Sequence, residues 1–475
     1  MGRVGGSWRL SSDGRGLSII AFVCFSGWML AFPFQGQVLY SLAARYDFDL
    51  RSLLFGCVAA HLVGLFVSGY VAKTMRAAKY LMLYACVFCV AASSVFFFRP
   101  SFAWYGLLPA SVLAGMYVAA WGFYYRGYTP PKERLQTAAI GLIYSNLLMI
   151  AVNLMAVHLL PEVGLVAAIM FLVFSFAFAL GLPEHAQPWE EPLSSGNAAT
   201  KPPSFFVPLA LLCLFIFVLT INSGLMYQVI NPAFAHHTGL VSWYWAVPYV
   251  AALQLMRQFP EKSNRSYSLY IAVAMIGLAF IFFMTLDRSV SSYLLVNTLM
   301  MGACGVFDLF WWSILGGMLH LMENPARVMG TGLSANVLGV LLGGMLGSRI
   351  TAGGGQLLDP SALALGIVMI ALMILPLLHQ RLSLVLRDQA FLTSFSTLPP
   401  PEQTALPGKA LLPGNLTERE QQVVDLLSRG RTYKLIASEL YLSENTVKTH
   451  VKNAYSKLGV KNKSELVQLL VDRDS

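Results

Sequence analysis

Near the C-terminus, Lys448 and Lys452 stand four residues apart, with Glu444, Asn445 and Thr449 on the same outward face of one predicted helix. Ammonium groups one turn apart can neutralise phosphates, and short polar side chains near a helix N-terminus can read base edges in a major groove. Lys434, Lys457, Lys461 and Lys463 flank that face, and Thr446 and His450 are assigned to positioning the backbone. In isolation such a lysine face is more often a solvated surface; held in a DNA-reading motif, it would do non-covalent recognition of double-stranded DNA. The sequence shows no nucleophile beside a base, no metal-ligand cluster and no phosphate-cradling loop, so neither an enzyme nor a cofactor is expected.

The elements that must hold this face are short and amphipathic. Thr417 with Glu420 forms a capping box that opens a helix whose apolar face is Val423, Val424, Leu426 and Leu427. A second helix is predicted from about Thr432 to Tyr441, and Leu442-Ser443 makes the turn. Ser443 caps the third helix, Glu444 to Leu458, which points Val447, Val451, Ala454 and Leu458 inward. A fourth helix begins near Ser464 and presents Leu466, Val467, Leu469, Leu470 and Val471.

This stretch resembles the LuxR-type helix-turn-helix. The resemblance rests on Leu416-Thr417, Arg419-Glu420, Gly430, Ile436-Ala437, Leu440, Leu442-Ser443, Thr446-Val447-Lys448, His450-Val451, Lys457-Leu458, Val460 and Asn462-Lys463. Tyr433 and Leu435 stand where Asn and Glu are common, Gln422 replaces a frequent Glu, and Lys463 replaces an Arg. The resemblance implies a transcription regulator that reads a near-palindrome as a homodimer paired through the last helix.

Composition separates this tail from the rest. Of 475 residues, 56% are hydrophobic and 12% charged, whereas a soluble domain carries about 25% charged residues. Residues 401–475 nevertheless hold eleven of the 32 basic and nine of the 23 acidic side chains, so the net charge of +9 belongs mostly to the remainder. Twelve apolar runs of membrane-spanning length lie near 17–44, 52–72, 78–98, 102–125, 135–160, 163–182, 204–230, 239–257, 267–286, 290–321, 327–350 and 360–380. Threading them alternately puts sixteen Lys and Arg residues on one side and only Arg45, Arg51, Arg99, Arg288 and Arg349 on the other. That bias places both termini in the cytoplasm of a bacterial inner membrane. Cys86 and Cys89 form a C-x-x-C among apolar neighbours, which points to helix packing rather than zinc.

Six spans, a polar connection at 183–203 and six more spans suggest a duplicated bundle. Gly115, Tyr117 and Trp121 share a G-x-aromatic-x-x-x-W spacing with Gly305, Phe307 and Trp311 in the equivalent helix of the second half. In this organisation the chain resembles the major facilitator fold. The facilitator loop signature after the second span is degraded, with Lys73 and Arg76 where Asp and Gly are expected.

The fold class expected is all-α. A cytoplasmic N-terminus (1–16) precedes a twelve-helix bundle in two halves (17–182 and 204–381) joined by a linker (183–203). A Pro-rich tether (382–414) then leads to a four-helix DNA-binding domain (415–472). Ionisable groups at mid-span are rare and usually functional, and here they are Asp308 and His61. The resemblance implies a central cavity, with Trp28, Gln35, Tyr117, Trp121, Asn222, Asp308 and Trp312 as candidate contacts to an unidentified small organic ligand. The expected function is a membrane-embedded one-component transcription regulator with DNA, lipid and that ligand as partners; the alternative is an active secondary transporter carrying a regulatory DNA-binding domain. Gly339, Gly343, Gly344 and Gly347 are expected to permit close helix packing.

Overall fold

The computed structural model describes residues 14–34, 36–46, 50–98, 103–130, 133–185, 206–258, 266–319, 322–352, 359–396, 416–428, 433, 436–437, 440, 442–460 and 465–466. No strand occurs among the described residues. The chain divides into two compact units, Met1–Thr393 and Ser394–Ser475.

The first unit is a helical bundle. Its first half contains α1 (Gly14–Ala31), α2 (Gln37–Tyr46), α3 (Leu50–Val71), α4 (Met75–Ser94), α5 (Ala103–Ala120), α6 (Gly122–Gly127), α7 (Arg134–His158) and α8 (Pro161–Leu180). In the second half, α9 (Phe206–Leu225) runs through a π-helical turn at Met226–Ile230 into α10 (Asn231–Ala233). There follow α11 (Thr238–Val241), α12 (Ala246–Gln258), α13 (Ser266–Thr285), α14 (Val290–Met318), α15 (Pro325–Ala352) and α16 (Pro360–Ser396).

Eleven helices among the described residues are long and apolar enough to cross a membrane. The eighth predicted run, 239–257, is interrupted: α11 ends at Val241 and α12 starts at Ala246. Pro248 explains the restart, because a residue without an N–H is tolerated in the first turn of a helix and not in its interior. The first run, 17–44, is likewise divided at Pro33, where the Phe34 N–H reaches back to the Met29 carbonyl at 3.2 Å. The last candidate span is Pro360–Leu378, and the helix that carries it continues past 381 as far as Ser396, short of Pro399, the first proline of the tether.

Packing between halves runs through α3 with α15 and through α7 with α12 and α14. Within the second half, α9 and α15 approach at glycines. A Cβ on Gly343 would fall 2.0 Å from the Ile221 carbonyl oxygen, and one on Gly339 would fall 2.1 Å from the Thr220 hydroxyl. The two G-x-aromatic repeats occupy matching positions. Gly115 on α5 abuts the His61 carbonyl of α3, and Gly305 on α14 abuts the Tyr249 carbonyl of α12.

The second unit contains α17 (Glu418–Ser428) and α18 (Glu444–Leu458). Leu416, Val423, Val424, Leu427, Ile436, Ala437, Val447, Val451, Ala454, Leu458, Val460 and Leu466 bury against one another as its core. Most of the predicted second and fourth helices lies outside the described residues.

Candidate functional site

In the second unit, local bonds fix where α18 begins and ends. The Ser443 hydroxyl accepts from the Thr446 N–H at 3.1 Å, which aligns the first turn. At the other end Gly459 adopts φ +72°, a left-handed cap, and the Val460 N–H reaches the Tyr455 carbonyl at 3.0 Å. With Val447, Val451, Ala454 and Leu458 committed to the core, Glu444, Asn445, Lys448, Thr449 and Lys452 are left exposed on one face. His450 and Thr446 are half-buried at its margin, and the Thr446 hydroxyl bonds that of Ser443 at 2.7 Å. Lys457 is engaged elsewhere: its Nζ donates to Glu420 Oε2 at 2.7 Å. The same carboxylate accepts from the Thr417 N–H at 2.8 Å, so the capping box and the end of α18 share one anchor. These contacts hold the Glu420 carboxyl below the usual carboxylate range, the Lys457 bond being the largest cause and the Thr417 N–H the next. Lys434 and Lys463 lie outside the described residues.

In the bundle, a cavity of about 650 Å³ opens between the halves. One face of α14 forms much of its wall: Asn297, Met301, Cys304, Asp308 and Trp311 follow one another at helical spacing, with Trp312 beside them. Asp308 Oδ2 accepts from the Tyr249 hydroxyl of α12 at 2.7 Å. His61 of α3 joins the wall with its ring edge toward Phe34, centroids 4.7 Å apart. Asn297 Oδ1, Trp311 Nε1 and His61 Nδ1 are buried without a hydrogen-bond partner. A separate recess of about 280 Å³, bordered by Arg51 and Gln228, shares Tyr40 and Tyr227 with the cavity.

The other aromatic candidates are used for packing and do not line this cavity. Trp28 is fully buried and its Nε1 donates to the Ser93 hydroxyl at 3.1 Å. Tyr117 stacks on Phe25, and its hydroxyl pairs with that of Ser175 at 2.9 Å. Trp121 stacks on Phe22 and donates to the Ser18 carbonyl at 3.1 Å. Asn222 is buried with both side-chain polar atoms unpaired, yet it too is absent from the lining. Gln35 lies outside the described residues.

Beyond Trp312 the bundle closes. Arg134 Nη1 donates to the Gly316 carbonyl at 2.6 Å, and Arg126 Nη1 donates to the carbonyls of Met322 and Glu323 at 3.1 and 3.0 Å. Asn324 Nδ2 donates to the carbonyls of Gly69 and Ala72 at 2.7 and 3.1 Å. All three side chains cross from one half to the other at the end of the bundle where α3, α6 and α14 terminate. Asn324 and Arg134 supply donors at the C-terminal ends of α3 and α14, where the helix dipole is negative, whereas Arg126 bonds carbonyls of the connection between α14 and α15.

Residues 414–470 match the bacterial regulatory proteins of the luxR family. Over 52 residues the chain is 54% identical to the spore germination protein GerE of Bacillus subtilis (strain 168), covering 11% of this chain and 70% of GerE. This chain belongs to the luxR family of bacterial regulatory proteins. It is also 45% identical over 56 residues to the monoamine regulon transcriptional regulator of Klebsiella aerogenes, covering 12% of this chain but only 25% of that protein. The luxR match therefore covers the DNA-binding unit alone.

The rest of this luxR-family chain is similar in fold to membrane transporters. The human organic anion transporter MFSD10 superposes with a TM-score of 0.56 at 17% identity, covering 77% of this chain and 98% of that one. A bacterial homologue of the iron transporter ferroportin, in an outward-facing state, gives 0.58 at 13% identity, covering 78% and 100%. The Major Facilitator Superfamily transporter FucP, in the outward conformation, gives 0.54 at 12%, covering 78% and 98%. The luxR-type helix-turn-helix thus follows a multi-pass bundle with the major facilitator fold.

Tyr249, Asn297 and Met301 were not among the ligand candidates read from the sequence. The signal that could have found the last two is periodic: positions 297, 301, 304, 308 and 311 recur at spacings of four and three and so share one face of α14.

Proposed function

We propose that this chain is a membrane-embedded one-component transcription regulator, in which a small molecule bound between the halves of the bundle controls DNA binding by the luxR-type unit. The observation that carries this reading is that the compact unit joined to the DNA-binding unit holds a cavity of about 650 Å³ containing the Asp308 carboxylate. A ligand controls such a system only through different affinities for two conformations of the bundle. The closed end at Arg126, Arg134 and Asn324 is the element whose opening would distinguish them.

The basic loops support a topology with both termini in the cytoplasm of a bacterial inner membrane, where the DNA is. Glu444, Asn445, Lys448, Thr449 and Lys452 are the proposed DNA-facing side chains, with Thr446 and His450 positioning them. Homodimerisation through the last helix is proposed from the luxR resemblance.

The test is a chromosomal reporter joined to the operator of this protein, read together with uptake of the inducing compound into proteoliposomes. Ligand-dependent expression without uptake is the expected result. Uptake that is saturable and driven by an ion gradient would establish the transporter reading instead. Expression indifferent to every change in the bundle would sink the receptor reading.

A further inference from the structure

Among the described residues, the wall of the central cavity has one carboxylate and no Lys or Arg. Tyr249 engages Asp308 Oδ2, which leaves Oδ1 as an acceptor in the part of the wall that Trp311 and Trp312 also form. An opposite charge brought to such a carboxylate is attracted more strongly than in bulk water, because the surrounding protein lowers the effective dielectric.

The wall also offers aromatic surface. Trp312, Trp245, Tyr227 and Phe34 lie in the same lining, and the faces of such rings attract cations. Two lining residues carry buried polar atoms without a hydrogen-bond partner: the Asn297 Oδ1 acceptor, in a residue 3% exposed, and the Trp311 Nε1 donor, in a residue 2% exposed. The matched repeats differ at this tryptophan, since Trp311 Nε1 has no hydrogen-bond partner. Its counterpart Trp121 sits at the same spacing from its glycine and satisfies its N–H on the Ser18 carbonyl.

We propose that the ligand of this cavity is a monovalent organic cation with an apolar body, its charge beside Asp308 and its body against the tryptophans. This assignment rests on the receptor reading above and names the ligand class for it. An anion of the same shape would meet the Asp308 carboxylate with no Lys or Arg among the described lining residues to offset the repulsion.

The experiment is calorimetric titration of the full-length protein in nanodiscs, corrected against empty nanodiscs, with tetraphenylphosphonium and tetraphenylborate. These ions share one shape and differ in sign. Tetraphenylphosphonium is expected to bind saturably and at least tenfold more tightly than tetraphenylborate. Asp308→Asn keeps an acceptor for Tyr249 and is expected to weaken the cation at least tenfold, while Tyr249→Phe, which keeps the carboxylate, changes it less than threefold. Equal or tighter binding of tetraphenylborate, saturable binding of neither ion, or an unchanged Asp308→Asn affinity overturns the assignment. The comparison of the two ions in the unaltered protein requires no variant to fold. The receptor reading fails on a different measurement, reporter expression that ignores the bundle, so either can fall alone.

Discussion

The Arg134 guanidinium donates to the Gly316 carbonyl at 2.6 Å, two helical turns beyond Asp308 on the same helix. Asp308, Trp312 and Gly316 are spaced by four residues, so the proposed ligand beside Asp308 would bear on the helix whose far end Arg134 holds. That geometry offers a short route from cavity occupancy to closure of the bundle.

Removing this bond should therefore open the closed end. A buried hydrogen bond to a charged group contributes about 1.5–3 kcal/mol, enough to move a two-state ratio by about 10- to 100-fold. Arg134→Met is expected to speed amide exchange in residues 69–74 and 322–327, where Asn324 and Arg126 make the remaining crossings. Hydrogen exchange of the full-length protein measures this. Exchange unchanged from the parent would show that Arg134 does not hold the halves together.

Glu420 gives the DNA-binding unit a pH dependence with a definite sign. Its folded pKa is lowered by Lys457 and Thr417, so its stabilisation is fully present above the unfolded value of about 4.3 and is lost as pH falls through the folded one. Amides of Glu418–Ser428 and Glu444–Leu458 should lose protection in that acidic window. Glu420→Gln keeps an acceptor for the Thr417 N–H but cannot ionise beside Lys457, so it should remove this part of the dependence and lower stability at neutral pH. An identical acid transition in the variant would contradict it.

Lys448 and Lys457 should separate on DNA. Lys448 is exposed on the outward face of α18, whereas Lys457 donates to Glu420 at 2.7 Å. Lys448→Ala is predicted to reduce the slope of log affinity against log salt by about one, the release of roughly one counterion. Lys457→Ala is predicted to keep the slope and reduce thermal stability. Fluorescence anisotropy with operator DNA over a salt series tests both, and a parallel loss of slope would return Lys457 to the DNA face.

The contrast between these lysines shows what the sequence made legible. Thr417, Glu420 and Ser443 could be read directly because a cap is a contact over three residues, and its geometry travels with its spacing. Asp308 and His61 stood out because ionisable groups are rare in apolar helices. Trp28, Tyr117 and Trp121 were ambiguous for the opposite reason: an aromatic ring suits a ligand wall and a helix contact equally, and only partners distant in sequence, Ser93, Ser175 and Ser18, decide which. Pro33 and Pro248 were visible, but hydropathy averaged over a span conceals a break of a few residues. Pairing of Lys457 with Glu420 spans 37 residues, beyond any local pattern.

The glycine contacts yield a prediction about the scaffold that carries the cavity. A Cβ on Gly343 would lie 2.0 Å from the Ile221 backbone oxygen, which cannot rotate away as a side chain could. Gly343→Ala must therefore separate α9 from α15, at a cost of about 1–3 kcal/mol by analogy with overpacked cores. Gly366 on α16 supplies the control, since an added Cβ there meets nothing within 4 Å. Gly366→Ala should leave the bundle at least as stable, because alanine restricts the unfolded chain more than glycine does. Thermal denaturation of the full-length protein in detergent, followed by size-exclusion of the surviving fraction, distinguishes the two. A Gly343→Ala protein as stable as the Gly366→Ala control would mean that α9 and α15 do not meet backbone to backbone.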